Sequence, residues 1–354
     1  MSQYTNKVKG SLLAAALGDA LGSFGECLHY KAIDRIYRVL PPGGFEGTVV
    51  YSDDTALRLV LYETILSSEI NAYTLAEQWS KKVVDNQVYW TSELYVTAMI
   101  LMGHDPHVIG HSNLLGDNAA MAVDPIGALY PSLDEIAALR TFETMSVCQS
   151  GKGLEGAMAV AAAVSKSMIP ESSIDDIVDA AGRWVSKDMK NRIEDAVSLV
   201  STSGDARKVL YDRFVIEDGL TDLIRNEINS PIPVKSAQRL TNLHAINEDI
   251  SMGISPLEVV PIAIAYVTKG EVDPINAIKE AARFGRDCDT IAGITGAILG
   301  AFHGTSSLPQ DLLGFLPTEL LTKADEIASG MNVKASQALT TAREHCGLLQ
   351  NLFG

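Results

Sequence analysis

Two closely spaced aspartates in the last quarter of the sequence are the residues best suited to chemistry. Asp287 and Asp289 are separated only by Cys288, Thr290 follows at once, and small and apolar residues fill positions 291–302. Carboxylate and hydroxyl oxygens suit hard divalent cations such as Mg²⁺, Mn²⁺ or Ca²⁺. An Asp or Thr before an apolar helix can instead cap its free N–H groups. This stretch alone leaves both a metal site and a helix cap open.

A second acidic cluster repeats this pattern much earlier in the chain. Ser52, Asp53 and Asp54 stand directly before an amphipathic segment at 56–66. The helix macrodipole and the free N–H groups favour carboxylates at such a position. Two adjacent carboxylates, however, exceed what one cap needs. The two clusters together favour a metal site, and capping is compatible with ligation because a helix N-terminus holds the carboxylates in place.

Several other polar residues are candidates for supporting roles. Asp19 and Glu26 flank a glycine-containing turn, where a single carboxylate is typically solvated or a cap. Asn118 lies in a glycine-flanked stretch that could face a ligand or form a tight connection between helices. Cys288 could be a nucleophile, but no His or Asn partner is apparent from the sequence. A small residue that fills a tight loop is the favoured interpretation of Cys288.

The elements that must position these residues are helices. Apolar residues recur at helical spacing along most of the chain, and strand signals are few and short. The predicted helices include 8–21, 56–66, 73–84, 90–102, 154–168, 256–267, 273–284 and 291–302. The sequence therefore predicts a compact, all-α, multi-helix fold. Residues 205–240 are more polar and could form a subdomain or a loop excursion.

The composition of the whole chain limits the classes of protein. At 354 residues, with 47% hydrophobic and 20% charged residues, the chain is long enough for a sizeable core. A formal charge of −16 argues against a nucleic-acid surface. No uninterrupted apolar run reaches the roughly 18 residues that a membrane-spanning helix needs, so no membrane span is predicted. Four separated cysteines without a CxxC pair indicate reduced thiols and a cytoplasmic protein. The oligomeric state stays open.

Three separated stretches resemble the signatures of the ADP-ribosylglycohydrolase family, to which the dinitrogenase-reductase-activating glycohydrolases belong. They are 18–26 (GDALGSFGE), 51–55 (YSDDT) and 285–292 (GRDCDTIA). Residues 118–121 (NAAM) and 124–127 (DPIG) are similar to the middle motif of that family. The order, spacing and types of these stretches make chance agreement improbable. The similarity extends from Lys7 to Leu316.

The resemblance implies an all-α fold with two Mg²⁺ or Mn²⁺ ions in a central cleft. It implies that the two clusters are the metal ligands: Ser52, Asp53, Asp54, Asp287, Asp289 and Thr290. It further implies catalytic roles for Glu26, Asp53 and Asp289, with Glu26 either the general base or a residue that holds the second metal. Cleavage at ribose C1 develops oxocarbenium character and needs an activated water. Two hard cations can bind ribose hydroxyls, orient that water and lower its pKa.

The sequence also departs from the family pattern. The family usually has Gly at the position of Arg286 and Thr or Ser at that of Cys288. Ala122 replaces a common Arg, and Cys148 and Gln149 align with a Thr–His pair whose His contacts substrate. Arg286 could direct its charge into the cleft. The predicted substrate-binding residues are Asn118, Cys148, Gln149 and Arg286.

The resemblance implies a metal-dependent hydrolase that acts on the ribose C1 N- or O-glycosidic bond. The expected substrate is an ADP-ribosylated protein side chain or a small ADP-ribosyl conjugate. The departures leave two alternatives open: a hydrolase of nucleosides or other small ribosyl compounds, and a non-catalytic immunity or regulatory protein that binds an ADP-ribosyltransferase. The predicted domain covers residues 1–330, with a C-terminal helical extension at 331–354.

Overall fold

Helices make up nearly all of the regular structure. The computed structural model describes residues 2–36, 51–82, 91–217, 219–228 and 246–353. In chain order the helices are α1 (Gln3–Gly22), α2 (Tyr30–Ile36), α3 (Asp53–Ser67), α4 (Ala72–Lys82), α5 (Thr91–Leu101), α6 (Pro106–Ile109), α7 (Asp124–Leu129), α8 (Asp134–Met145), α9 (Gly151–Ser167), α10 (Ile174–Arg183), α11 (Lys187–Thr202), α12 (Ala206–Phe214), α13 (Leu220–Ile228), α14 (Pro256–Lys269), α15 (Pro274–Ala282), α16 (Cys288–His303), α17 (Gln310–Leu313) and α18 (Thr318–Phe353). The described ranges contain isolated β-bridges and no strand. The predicted all-α fold is confirmed.

The central feature of the fold is the antiparallel packing of α1 against α16. Small residues recur every fourth position on both helices, so each presents one flat face to the other. A Cβ atom added at Gly18 would overlap the backbone of Ala292, and one added at Gly296 would overlap the backbone of Ala14. Backbones this close are possible only where side chains are absent or minimal. Both helices are buried along almost their whole length.

This packing brings two sequence motifs together. Because α1 and α16 are antiparallel, the end of α1 at Gly22 lies against the backbone of Asp289 at the start of α16. The segment after Glu26 then pairs with the segment before Asp287. Cys27 N donates to Arg286 O at 2.8 Å, and Arg286 N donates to Leu28 O at 2.8 Å. Glu26 is thereby held next to the second acidic cluster.

A buried carboxylate joins α3 to the same centre. Asp19, on α1, accepts hydrogen bonds from Ser52 N at 2.9 Å, Thr55 N at 3.0 Å and Thr55 Oγ1 at 2.5 Å. The capping role considered for Asp19 is therefore correct, but the capped helix is α3 and not its own. The N-terminus of α3, with Asp53 and Asp54, is fixed beside the end of α1.

The other predicted helices are present at the expected places with somewhat different ends, and the predicted ends at 83–84 and 90 lie outside the described residues. The segment predicted at 56–66 begins at Asp53, since the Ser52 hydroxyl accepts from Asp54 N at 3.2 Å and caps the helix. The polar region at 205–240 contributes α12 and α13, and its remainder from 229 lies outside the described residues. Helix α18 continues without interruption from 318 through 353. The division at residue 330 stays a prediction. None of the described helices is long and apolar enough to cross a membrane.

The packing of α1 on α16 predicts that Gly296→Ala is strongly destabilising for its size. The added methyl group would meet the carbonyl oxygen of Ala14, and backbone cannot move aside as a side chain can. We expect the free energy of unfolding to fall by about 1–3 kcal/mol in urea titrations. Gly204→Ala is the matched control because its Cβ would meet open space. Equal stability of the two variants would show that the helices separate easily.

Candidate active site

Both acidic clusters line one cavity. Its walls also hold Ser92, Gln149 and a set of apolar side chains. Seven carboxylates from five parts of the chain line it: Glu26, Asp53, Asp54, Glu93, Asp117, Asp287 and Asp289. Each of these side chains is almost completely buried. The cavity therefore concentrates negative charge where little water is available to screen it.

The local structure explains how the two clusters are presented. Asp53 and Asp54 occupy the first turn of α3, and Asp289 and Thr290 occupy the first turn of α16. The N-terminal ends of both helices thus face the same cavity, and their dipoles favour negative charge there. Asp287 precedes α16 and lines the cavity without capping the helix through its side chain. Within the first cluster, Ser52 has the predicted cap role: its hydroxyl accepts from Asp54 N in its own helix, and Ser52 does not line the cavity.

Several oxygens of the cavity have no donor. Asp54 Oδ1, Asp117 Oδ2, Asn118 Oδ1 and Asp289 Oδ1 are buried without a hydrogen-bond partner in the described part of the chain. Among the described residues, no group of three or more His, Cys, Asp or Glu side chains is already arranged to hold a metal ion. Buried polar atoms nevertheless need a partner, and carboxylate and amide oxygens are the ligands that hard divalent cations prefer. The donor set therefore fits such a cation.

Burial and mutual repulsion raise the pKa values of the carboxyl groups in the cavity. Burial raises the pKa of Asp54 from 3.8 to about 8, with the charge of Asp19 adding to the effect. Burial and the Glu93 carboxylate hold the pKa of Asp53 well above its ordinary range. Burial and the Glu26 carboxylate do the same for Asp289. Without a cation, the folded protein can keep these carboxyl groups buried side by side only when some of them carry protons.

Two carboxylates of the cavity, Glu93 and Asp117, were not among the predicted site residues. Glu93 lies in α5 and accepts a hydrogen bond from Asn118 Nδ2 at 2.9 Å. Asp117 directly precedes Asn118, and its carboxyl lies close enough to that of Asp287 to share a hydrogen bond. The sequence carried a signal only for Asp117, which stands in the glycine-flanked stretch that contains Asn118. A single Glu in a helix gave no sign that it faces a cavity.

The predicted substrate contacts divide into two groups. Asn118 and Gln149 line the cavity, and Gln149 Nε2 donates to Leu114 O at 2.8 Å. Cys148 does not line the cavity, and the substrate contact predicted for it is corrected. Cys148 lies in the turn that follows α8, and its side chain is fully buried. Its Sγ lies 3.3 Å from the carbonyl oxygen of Met145, the last residue of α8. Burial raises the pKa of the Cys148 thiol.

Arg286 also lies outside the cavity, which corrects the prediction that it directs charge into the cleft. Its Nε donates to Glu258 Oε1 at 2.6 Å, and Nη2 donates to Glu258 Oε2 at 3.2 Å. Further bonds reach Ser251 Oγ at 2.9 Å and Ile216 O at 2.7 Å. Both charged side chains are 0% exposed. The backbone of Arg286 is left-handed, with φ of 59°. Through this strained turn, Asp287 lines the cavity while the neighbouring guanidinium is bound to Glu258 outside it.

A second buried arginine serves the middle motif. Arg58, in α3, forms a fully buried ion pair with Asp124 and donates to the carbonyl oxygen of Met121. Tyr62 OH donates to the same Asp124 carboxylate at 3.2 Å. Ala122, at the position where the family commonly has Arg, follows Met121 directly. The Arg58 guanidinium therefore binds the backbone next to that position. That guanidinium comes from another helix, and Arg58 does not line the cavity.

These features define an all-α protein with an acidic, largely buried cleft between helix N-termini. Comparisons with known proteins identify the class. Residues 1–341 match the family model of ADP-ribosylglycohydrolase, and the chain belongs to that family. The resemblance noted in the sequence is thereby confirmed.

Individual relatives are distant but cover nearly the whole chain. ADP-ribosylhydrolase ARH3 of Homo sapiens is 25% identical, over 90% of this chain and 92% of the relative. The uncharacterized protein YegU of Escherichia coli (strain K12) is 24% identical, over 87% of this chain and 91% of the relative. A solved chain from an ADP-ribosylglycohydrolase-related protein complex superposes with a TM-score of 0.63 at 15% identity, covering 95% of this chain and 100% of that chain. This last similarity concerns the fold alone.

The Arg286–Glu258 pair predicts a large loss of stability on removal of one partner. Arg286→Met leaves the Glu258 carboxylate buried without its counter-charge, and we expect the free energy of unfolding to fall by about 3–5 kcal/mol. Replacing both residues with Met should recover part of that loss because no buried charge is left. Asp212→Asn, in an exposed pair with Lys208, is the control and should have no measurable effect. A stable Arg286→Met variant would contradict the anchoring role.

The raised pKa values predict that the metal-free protein loses stability as pH rises. A carboxyl with a folded-state pKa above its unfolded value holds its proton longer in the folded state, so stability falls between the two values. For Asp54 this window runs from 3.8 to about 8. With EDTA present, we expect a lower melting temperature at pH 8.5 than at pH 5.5. Asp54→Asn should reduce the difference and exposed Asp195→Asn should not; a pH-independent melting temperature would refute the assignment.

Proposed function

We propose that the protein is a metal-dependent hydrolase of the ribose C1 glycosidic bond in ADP-ribosylated side chains or small ADP-ribosyl conjugates. The observation that carries this proposal is the cluster of unpartnered, buried carboxylate oxygens at two facing helix N-termini. Family membership and the ADP-ribosylhydrolase relatives support the same reaction class. Buried carboxylate oxygens without a donor, such as Asp54 Oδ1 and Asp289 Oδ1, are costly unless a cation or a proton binds them.

The residues that would hold two Mg²⁺ or Mn²⁺ ions are Asp53, Asp54, Asp287, Asp289 and Thr290. When bound, such ions polarise ribose hydroxyls and lower the pKa of a bound water. The negative charge of the facing aspartates would be offset by the cations. Asp53, Asp54, Asp289 and Thr290 lie in the first turns of α3 and α16 and line the same cavity as Asp287. The ligand role of the Ser52 side chain, which points to its own helix, is the weakest part of the predicted set.

Glu26 is the proposed general base. It lines the cavity, and its charge affects both Asp53 and Asp289, so it stands close to each acidic cluster. A carboxylate in that position can accept a proton from the attacking water as the bond to ribose C1 breaks. The loop that carries Glu26 is fixed by the backbone bonds between Cys27 and Leu28 and the turn at Arg286. This support keeps the carboxylate next to the centre of the cavity.

A specific observation favours a second substrate class. An apolar wall of the cavity is formed by side chains from α13 and from the segment before α14: Leu220, Leu223, Ile224, Met252 and Ile254. An aliphatic wall can pack against a flat nucleobase, whereas seven carboxylates disfavour an anionic diphosphate unless cations offset them. Hydrolysis of nucleosides or other small ribosyl compounds is therefore the alternative activity.

Substrate assays with Glu26→Gln test the proposal. Wild-type protein loaded with Mg²⁺ or Mn²⁺ should release ribosyl products from ADP-ribosylated protein, ADP-ribose conjugates or nucleosides. We expect Glu26→Gln to lower kcat by about 10²–10⁴-fold with substrate affinity nearly unchanged. Glu135→Gln, exposed on α8, is the matched control.

Each result has a distinct meaning. Turnover of nucleosides alone would select the second substrate class. If no substrate is cleaved, while the protein binds an ADP-ribosyltransferase and Asp289→Asn binds it equally well, the non-catalytic alternative replaces the hydrolase.

A further inference from the structure

The segment that carries Asp117 and Asn118 forms a third side of the acidic cavity. Asp117 is 4% exposed and lines the cavity together with the carboxylates of α3 and α16. Its backbone is fixed in a turn, since Met121 N donates to Asp117 O at 3.0 Å. Asp117 Oδ2 and Asn118 Oδ1 both lack a hydrogen-bond donor in the described part of the chain. Two consecutive residues thus direct unpartnered acceptors into the same space.

Glu93 fixes the orientation of the Asn118 amide. Asn118 Nδ2 donates to Glu93 Oε1 at 2.9 Å, and Ser92 Oγ donates to the same oxygen at 2.8 Å. Because an ionised carboxylate only accepts hydrogen bonds, the amide cannot be reversed without losing this contact. The amide oxygen is therefore held toward the cavity. Carboxylate and amide oxygens are both ordinary ligands of hard divalent cations.

The carboxyl groups of Asp117 and Asp287 lie within hydrogen-bonding distance of each other. Two buried carboxylates within hydrogen-bonding distance repel each other strongly when both are ionised. One shared proton can relieve that pair. It cannot also supply donors to Asp54 Oδ1, Asp289 Oδ1 and Asn118 Oδ1, which are buried without partners in the same cavity. A divalent cation can coordinate oxygens from several of these groups at once.

We propose that Asp117 is a further cation ligand, which adds the middle segment to the metal-binding clusters of α3 and α16. The inference rests on the proposed metal dependence and extends it to a residue outside both predicted clusters. Cation binding would then join three parts of the chain: α3, α16 and the turn before α7. It would also hold the neighbouring Asn118, which lines the same cavity, in place.

Mn²⁺ titration of the full-length protein, followed by electron paramagnetic resonance and calorimetry, tests this role directly. Asp117→Asn keeps the shape of the side chain and removes its charge. We expect it to raise the dissociation constant for Mn²⁺ by at least about 10–100-fold, the effect typical of residues that only support a metal site. Asp54→Asn serves as the reference for a ligand of the proposed centre. Exposed Asp195→Asn should leave Mn²⁺ binding unchanged.

The outcomes separate this inference from the proposed function. Unchanged or tighter Mn²⁺ binding by Asp117→Asn, with weakened binding by Asp54→Asn, would overturn the role of Asp117 and leave the metal centre intact. If wild-type protein binds no Mn²⁺, both proposals fail. Should Asp117→Asn not fold, Asp117→Glu is compared with Asp117→Gln at the same side-chain length; equal Mn²⁺ affinity of these two would also overturn the inference.

Discussion

The close approach of α1 and α16 is the constraint on which the rest of the structure depends. Their backbones come together along faces of glycine and alanine, which leaves no room for larger side chains. This contact places the end of α1 beside the start of α16, and with it Glu26 beside Asp289. Asp19 then uses the same region of α1 to hold the N-terminus of α3. One helix pair thus determines the relative positions of both acidic clusters.

Three buried acids outside the cavity have partners that support the site. Glu258 binds Arg286, Asp124 binds Arg58, and Asp19 caps α3. Each of these pairs supports a segment that carries a cavity residue. The cavity carboxylates instead face one another, and burial raises the pKa values of Asp53, Asp54 and Asp289. Such an arrangement opposes folding unless protons or cations supply the missing charge.

The cavity combines an acidic side with an apolar wall, and the two are suited to different parts of a substrate. The acids suit cations and, through them, ribose hydroxyls. The wall from α13 and the segment before α14 suits a base or another flat group. Asn118 and Gln149 line the same cavity, and both are held by hydrogen bonds to neighbouring groups. Polar groups that are fixed in this way can orient a ligand without a large loss of side-chain entropy.

The sequence by itself determined the helical class, the two acidic clusters and the family. Those features depend on local signals: apolar residues at helical spacing, polar residues before a helix and short motifs in a given order. Only the tertiary structure decided where the remaining side chains point. Arg286 stands inside a predicted motif, yet its guanidinium binds Glu258. The two residues are 28 positions apart in the chain, so no local sequence pattern predicts their contact. Glu93 and Asp117 reach the cavity because distant helices pack around it, and Cys148 lies behind its wall for the same reason. The direction of a side chain depends on backbone conformation and on partners from remote segments, which spacing along the chain does not encode.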